Sequence, residues 1–340
     1  MAALDVVDFD LPVASAARAL RRAGIAGLGV ALPHGAVSTD DVAARVGVAP
    51  EWITRRTGIF SRRRLAPGAT IADLGERAAR EALHDAQTEA AELDAVLVAT
   101  ASADEVMPAA APLIAGRLGA HGAMAWDVNL ACTGFLAGLE QGAALIESGR
   151  AATVLVIAVD ALSRVTNHDD RKTAALFGDG AGAVVLTAGG RHLLGASTLI
   201  AEPDEDYALV VRHDDRIVHM DGQAVFARAV AGMERCCRAV LADAGVQAQD
   251  LDLVVPHQAN QRITAALAER LQLDPSRVVD EIAHVGNTGA ATIPLALHAA
   301  RAQGRVPDAG LLLLTAFGAG FAAGALLIEL RPTSEEGSTS

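Results

Sequence analysis

"ALHDAQTEAAELDAVLV", residues 82–98, can be set over "VLADAGVQAQDLDLVVP", residues 240–256. Seven of the seventeen positions are identical, among them Leu83/Leu241, Asp85/Asp243, Leu93/Leu251 and Asp94/Asp252. Each stretch reads as the end of an amphipathic helix, a short turn and an apolar strand. The repetition continues outward. "ACTGFLAGLEQGAALIESGR" (131–150) lies over "GNTGAATIPLALHAARAQGR" (286–305), two small-residue helices that each stop at a Gly-Arg turn. "FGDGAGAVVL" (177–186) and "FGAGFAAGALL" (317–327) share a Phe-Gly-x-Gly opening, and each follows an apolar strand, "TVLVIAVD" (153–160) and "GLLLLTAFG" (310–318). A period this long is not that of a solenoid. The chain is an α/β protein of two fused, pseudo-symmetric βα halves, residues 21–195 and 196–331. Residues 1–20 form an N-terminal extension, and 332–340 ("PTSEEGSTS") read as a disordered tail.

The duplication decides an otherwise ambiguous segment. "GLLLLTAFGAGFAAGALLIEL" (310–330) is apolar and long enough for a membrane span and contains a Gly-x-x-x-Gly. Its counterpart in the first half is too short and too polar to cross a bilayer, so 310–330 is expected to be two buried strands joined at Gly318–Gly320. With 51% hydrophobic residues in 340 the chain can build a large core. Aromatics make up only 3%, so packing must rely on small residues and close backbone approach. A net charge of −13 argues against nucleic acid and anionic membranes as partners. Three cysteines, Cys132, Cys236 and Cys237, are a poor count for a disulfide framework and lack metal-ligand spacing, and Asp5, Asp8 and Asp10 are the reverse of a signal-peptide start. A reduced, cytoplasmic protein is expected.

Cys132, in "VNLACTGF" (128–135), falls opposite Asn287 in the repeat. Most free cysteines are small buried hydrophobes. This one sits at a helix start, followed by Thr133-Gly134, where free N–H groups are expected to lower the thiol pKa. "VVPHQANQRI" (254–263) puts His257 directly after an apolar strand, where α/β folds place ligands. The bland alternative is a polar loop capped by Asn260, and for Asn287 an ordinary turn asparagine. Taken together, Cys132, His257 and Asn287 are a nucleophile with two polar partners. Cys236-Cys237, in "MERCCRAVLADAG", read as core of a helix, and Gly178, Gly180 and Gly182 as close backbone contacts rather than a nucleotide cradle.

In "EWITRRTGI" (51–59), "ACTGF" (131–135), "LFGDGAGAVVL" (176–186), "PHQANQRI" (256–263), "GNTGAATIP" (286–294) and "AFGAGF" (316–321), the chain resembles the β-ketoacyl-[acyl carrier protein] synthase III family of the thiolase-like superfamily. The resemblance runs from about residue 25 to 330. It implies a thiolase-like fold with α-β-α-β-α layers and a decarboxylative Claisen condensation of an acyl-CoA starter with malonyl-ACP, giving 3-ketoacyl-ACP. Cys132 would carry the acyl group, and the N–H groups of Cys132 and Ala319 would form the oxyanion hole. His257 and Asn287 would hydrogen-bond the malonyl thioester carbonyl, and Phe317 would stand beside the nucleophile as an accessory residue. Trp52, Arg56, Arg171 and Arg262 would grip CoA or ACP, and Met107 would reach into the acyl pocket of a partner subunit in a homodimer. No metal and no redox cofactor is implied. Arg55, Arg56, Arg62, Arg63 and Arg64 form a local basic cluster suited to an acidic carrier protein.

The segment 197–220, which in the family helps wall the acyl pocket, is shorter and more charged than the housekeeping pattern. That departure directs attention to polyketide as well as fatty acid initiation. The alternative is a non-decarboxylating acyltransferase on the same fold, but such relatives often change the histidine or asparagine, and both are present. A degradative thiolase would carry a second cysteine near "AFGAGFAAG", and a non-catalytic partner subunit tolerates loss of the nucleophile; neither pattern occurs.

Overall fold

Apolar runs such as Ala95–Ala99 and Thr153–Ala161 have no face to give to water, so each requires cover on both sides. The computed structural model, which describes residues 21–332, provides it. The N-terminal extension (1–20) and residues 333–340 of the tail lie outside the described residues. In chain order the strands are β1 (Ala23–Ala31), β2 (Gly35–Ser38), β3 (Ser61–Arg64), β4 (Ala95–Ala99), β5 (Met124–Val128), β6 (Thr153–Ala161), β7 (Asp179–Ala188), β8 (His192–Ala201), β9 (Leu209–Val211), β10 (Val218–Met220), β11 (Leu253–Pro256), β12 (Gly310–Gly318) and β13 (Ala322–Leu330). The helices are α1 (Thr39–Val46), α2 (Pro50–Thr57), α3 (Ile71–Asp85), α4 (Ala110–Leu118), α5 (Gly134–Glu147), α6 (Gly222–Ala244), α7 (Gln261–Leu271) and α8 (Thr292–Ala302).

Nine strands form one sheet in the order β11-β12-β13-β8-β1-β7-β6-β4-β5. Read outward from its centre, it is the same pattern twice. β1-β7-β6-β4 and β8-β13-β12-β11 share order and direction, antiparallel, antiparallel, then parallel. The fifth position is β5 in the first half and a lone parallel bridge, Val254 to Val278, in the second. The two sets join where β1 meets β8, which spans residue 195. The segment 310–330 is a β12–β13 hairpin, and no described helix is long and apolar enough to cross a membrane.

Side-chain alternation distributes the core into layers. In β6, Val154, Val156 and Ala158 face α5 and α8, while Leu155, Ile157 and Val159 face α3 and α4. In the second half Leu312 and Leu314 face α5 and α8, and Leu313 faces α6 and α7. The result is α3/α4, sheet, α5/α8, sheet, α6/α7: the five-layer thiolase-like arrangement. α5 fits between the sheets because its residues are small. A Cβ at Gly138 would lie 2.7 Å from Val156, and one at Gly142 2.7 Å from Leu186. Local signals set the helix ends. Thr70 and Asp73 form a capping box on α3, Asp221 caps α6, and Asn260 accepts the Arg262 N–H at the start of α7. Cys236 and Cys237 are fully buried in α6.

Candidate active site

Two matching turns meet where the halves touch. Ala131–Thr133 is a 3₁₀ turn that runs into α5 and carries Cys132, and Gly289–Ala291 is a 3₁₀ turn that runs into α8, two residues after Asn287. Each reactive residue follows a left-handed residue, Ala131 at φ +45° and Gly286 at φ +70°. Each turn is also held by the opposite half. Asn287 donates its N–H to Leu176 O (2.8 Å) and accepts the Gly178 N–H (2.9 Å). Gly178 must be glycine there, since a Cβ would lie 2.2 Å from Val285 O. On the other side Gly318 packs on Cys132, where a Cβ would sit 2.9 Å from the Cys132 nitrogen, and the Thr133 hydroxyl donates to Ala322 O at 3.2 Å.

His257 follows β11, and its N–H donates to Thr315 O at 2.7 Å. Nδ1 lies 2.6 Å from the Thr292 hydroxyl, which leaves Nε2 as the ring's other hydrogen-bonding atom. Burial pushes the imidazole down to about 3, so it is neutral. Asn287 Oδ1 accepts the Gly289 N–H at 2.9 Å, which leaves the side-chain NH₂ as a donor. Cys132 is half-buried. Its thiol does not follow the expectation of a lowered pKa. Burial, then the neighbouring Asp160, push it up to about 12, and the residue's own N–H opposes them only in part. Desolvation outweighs the pull of the N–H at this helix start. At rest the pair is a neutral thiol and a neutral imidazole.

Cys132, His257, Asn287 and Phe317 line one cleft of about 520 Å³, together with Trp52, Arg56, Arg171 and Arg262. Arg56 stacks over the Trp52 ring at 4.2 Å. Lys172, the single lysine, joins these cations in the cleft, a placement that no motif around it signals. A smaller cavity of about 80 Å³ continues from Cys132, lined by Ala319, Leu162 and the β9–β10 hairpin within the short 197–220 segment. Met107 stands apart from both, 83% exposed in the loop between β4 and α4.

One expectation is overturned outright. Arg62 does not belong to a surface basic cluster. It is fully buried and donates to Val37 O, Ala175 O and the Thr39 hydroxyl, and burial pushes its guanidinium down to about 10. Alternation along β3 turns Arg62 inward and leaves its neighbours partly exposed. The exposed cation Arg56 lines the cleft with Arg171, Lys172 and Arg262 instead. Sequence reasoning also missed Asp160, fully buried beside Cys132. The available signal was a lone carboxylate ending the otherwise apolar run "TVLVIAVD".

A duplicated α/β fold that brings a thiol, an imidazole and a carboxamide into one cleft defines a thiolase-like acyl-transferring enzyme. Models of the 3-oxoacyl-[acyl-carrier-protein (ACP)] synthase III family match residues 126–203 and, for its C-terminal part, 241–330. A β-ketoacyl-[acyl-carrier-protein] synthase III of Bordetella petrii is 42% identical over 325 residues, covering 92% of this chain and 99% of that protein. The crystal structure of 3-oxoacyl-(acyl carrier protein) synthase III from Pseudomonas aeruginosa superposes with a TM-score of 0.88 at 43% identity, covering 92% and 99% of the two chains. The priming β-ketosynthase of the R1128 polyketide pathway superposes at 0.87 with 34% identity, covering 92% and 97%. This chain belongs to the 3-oxoacyl-ACP synthase III family.

Proposed function

We propose that the chain catalyses the initiating condensation of an acyl-CoA with malonyl-ACP. The observation that carries this reading is the meeting of Cys132, His257 and Asn287 in one cleft, with the Asn287 amide turned to donate. The Cys132 sulfur attacks the acyl thioester, its proton ends on the departing CoA sulfur, and the acyl chain enters the small apolar cavity beside it. A thiol near 12 ionises only as it attacks, so stabilisation of the tetrahedral oxyanion by the Cys132 and Ala319 N–H groups matters more than resting thiolate.

Malonyl-ACP then binds with its thioester carbonyl toward His257 and Asn287. Loss of CO₂ leaves an enolate whose oxygen takes both donors, and a neutral His257 with hydrogen on Nε2 suits that task. Thr292 can support this tautomer by donating to Nδ1. The carbanion attacks the acyl carbon. The 3-ketoacyl-ACP leaves, Cys132 regains a proton, and the cycle needs no metal or redox cofactor. Phe317, packed on Phe321, gives the carboxylate an apolar neighbour that favours CO₂ over a hydrated anion. Trp52, Arg56, Arg171 and Arg262 are suited to the nucleotide and phosphates of CoA and to the phosphopantetheine of ACP.

A net charge of −13 makes those cations the local exception that an acidic carrier protein would seek. The exposed Met107, Val106, Leu113 and Met124 near β5 support a homodimer paired along that edge, with Met107 reaching the partner's acyl pocket. The three thiols are all free, which suits the cytoplasm.

The test is intact mass of malonyl-ACP after incubation with enzyme and a panel of acyl-CoAs, with Cys132→Ala as control. Loss of CO₂ with gain of one acyl group, dependent on Cys132, is expected, and the preferred acyl-CoA separates fatty acid from polyketide initiation. Acylated Cys132 beside intact malonyl-ACP would instead favour a non-decarboxylating acyltransferase.

A further inference from the structure

Asp160 ends β6 wholly buried, and among the described residues no cation pairs with it. Its Oδ1 accepts the Ser102 hydroxyl (2.7 Å), the Ala101 N–H (2.9 Å) and the Thr100 hydroxyl (3.2 Å), all at the end of β4 in the first half. Its Oδ2 accepts the Ala290 N–H at 2.9 Å, from the turn that follows Asn287 in the second half. Gly289, at φ +61°, passes so close that a Cβ there would lie 2.2 Å from Oδ2. The Gly289 N–H is itself the donor that fixes Asn287 Oδ1. One peptide unit therefore separates the carboxylate from the group that orients the catalytic amide.

A buried carboxylate is costly, and here burial pushes its pKa up while the four donors pull it down. Its counterpart in the repeat shows what the position looks like without that cost. Aligning Val98 with Pro256, and following the pairings Val98–Ile157 and Pro256–Thr315, sets Asp160 opposite Gly318. Gly318 presents no side chain to the Cys132 turn, so no acid stands over the Cys132 N–H there. In the Asn287 turn, Asp160 accepts the Ala290 N–H, while the Gly289 N–H goes to Asn287 Oδ1.

We propose that Asp160 is a positioning residue for Asn287: its carboxylate ties the Gly289–Ala290 turn to the first half and so holds the amide with its NH₂ toward the cleft. This rests on the condensation reading above. A donor must meet the enolate oxygen within a few tenths of an ångström, and a displacement of about 1 Å can cost 10²-fold. The thiol side of the site does not depend on that tie.

Asp160→Asn tests it. The amide is isosteric but cannot accept from both the Ala101 and Ala290 N–H groups. Two half-reactions are measured on the full-length protein: acylation of Cys132 by acyl-CoA, read by intact mass, and CO₂ release from malonyl-ACP. The expected result is a fall of about 30-fold or more in kcat for CO₂ release. Cys132 acylation should not fall, because the variant removes the charge that helps raise the thiol pKa, and KM for malonyl-ACP should stay within about threefold of wild type. Equal loss of both half-reactions, or loss of neither, overturns the proposal. If Asp160→Asn does not accumulate as folded protein, Ser102→Ala carries the test by removing the 2.7 Å donor to the same carboxylate. The ratio of CO₂ release to acylation should then fall about threefold, and an unchanged ratio overturns the proposal. A wild-type enzyme that acylates Cys132 but releases no CO₂ would instead sink the condensation reading, and this proposal with it.

Discussion

The chain enters the Cys132 turn through Ala131 at φ +45° and the Asn287 turn through Gly286 at φ +70°. Both turns lead into a small-residue helix buried between the sheets, and both are gripped by a Phe-Gly segment of the other half. They differ in what stands over their first N–H groups, Gly318 at the thiol and Asp160 at the amide. The same backbone device thus differs at one point. At the thiol no acid stands over the Cys132 N–H, whereas at the amide a buried carboxylate accepts the Ala290 N–H and the Asn287 oxygen accepts the Gly289 N–H.

Several changes would break that contrast, beginning with the reactive pair. Cys132→Ala should abolish acyl-enzyme and condensation by about 10⁴-fold or more. Asn287→Ala should lower CO₂ release by about 10²–10³-fold while Cys132 acylation stays within a few-fold, both read by mass spectrometry. Equal losses of acylation in the two variants would show that the turns do not divide the labour. Next comes the backbone. Gly286→Ala should cost about 2–4 kcal/mol of stability, from a left-handed alanine whose Cβ would meet Leu176 O at 2.9 Å, as measured by urea unfolding.

The pH dependence of stability sharpens the contrast at His257. The folded state holds this imidazole near 3, below its ordinary 6.5, so the unfolded chain binds the extra proton between those values. Its contribution to stability is therefore present above about 6.5 and is lost as pH falls toward 3, at about 1.4 kcal/mol per pH unit. His257→Asn should show a correspondingly shallower loss of urea midpoint between pH 6.5 and 4. The smallest effect is expected from Ala131→Gly. Relief of the left-handed strain and the entropy of a new glycine oppose each other, so the change in unfolding free energy should lie within about 1 kcal/mol of zero.

The two halves, the strands at 95–99, 153–161 and 310–330, and the cleft trio were legible in the chain because each rests on a local pattern. Continuous apolar runs, capping residues and a repeated Thr-Gly after Cys132 and Asn287 need only a few neighbours in sequence. Arg62 was misread for a related reason. In "SRRRL" three arginines look alike, and only the pairing of β3 with β2 turns the first of them inward, onto Ala175 O, which is 113 residues away. Asp160 was visible as a carboxylate after an apolar run, but nothing near it in sequence said that residue 290 would donate to it.

By itself, then, the sequence determined the duplication, the main buried strands, and the three polar side chains that line the cleft. Hydrophobic periodicity and backbone preference act over a turn or two of chain and can be read there. The tertiary structure alone decided that the thiol rests near 12 and the imidazole near 3, that one arginine of three is buried, and that a carboxylate of the first half holds the amide turn of the second. Those outcomes depend on desolvation and on hydrogen bonds between segments distant in the chain, and such terms exist only once those segments have packed together.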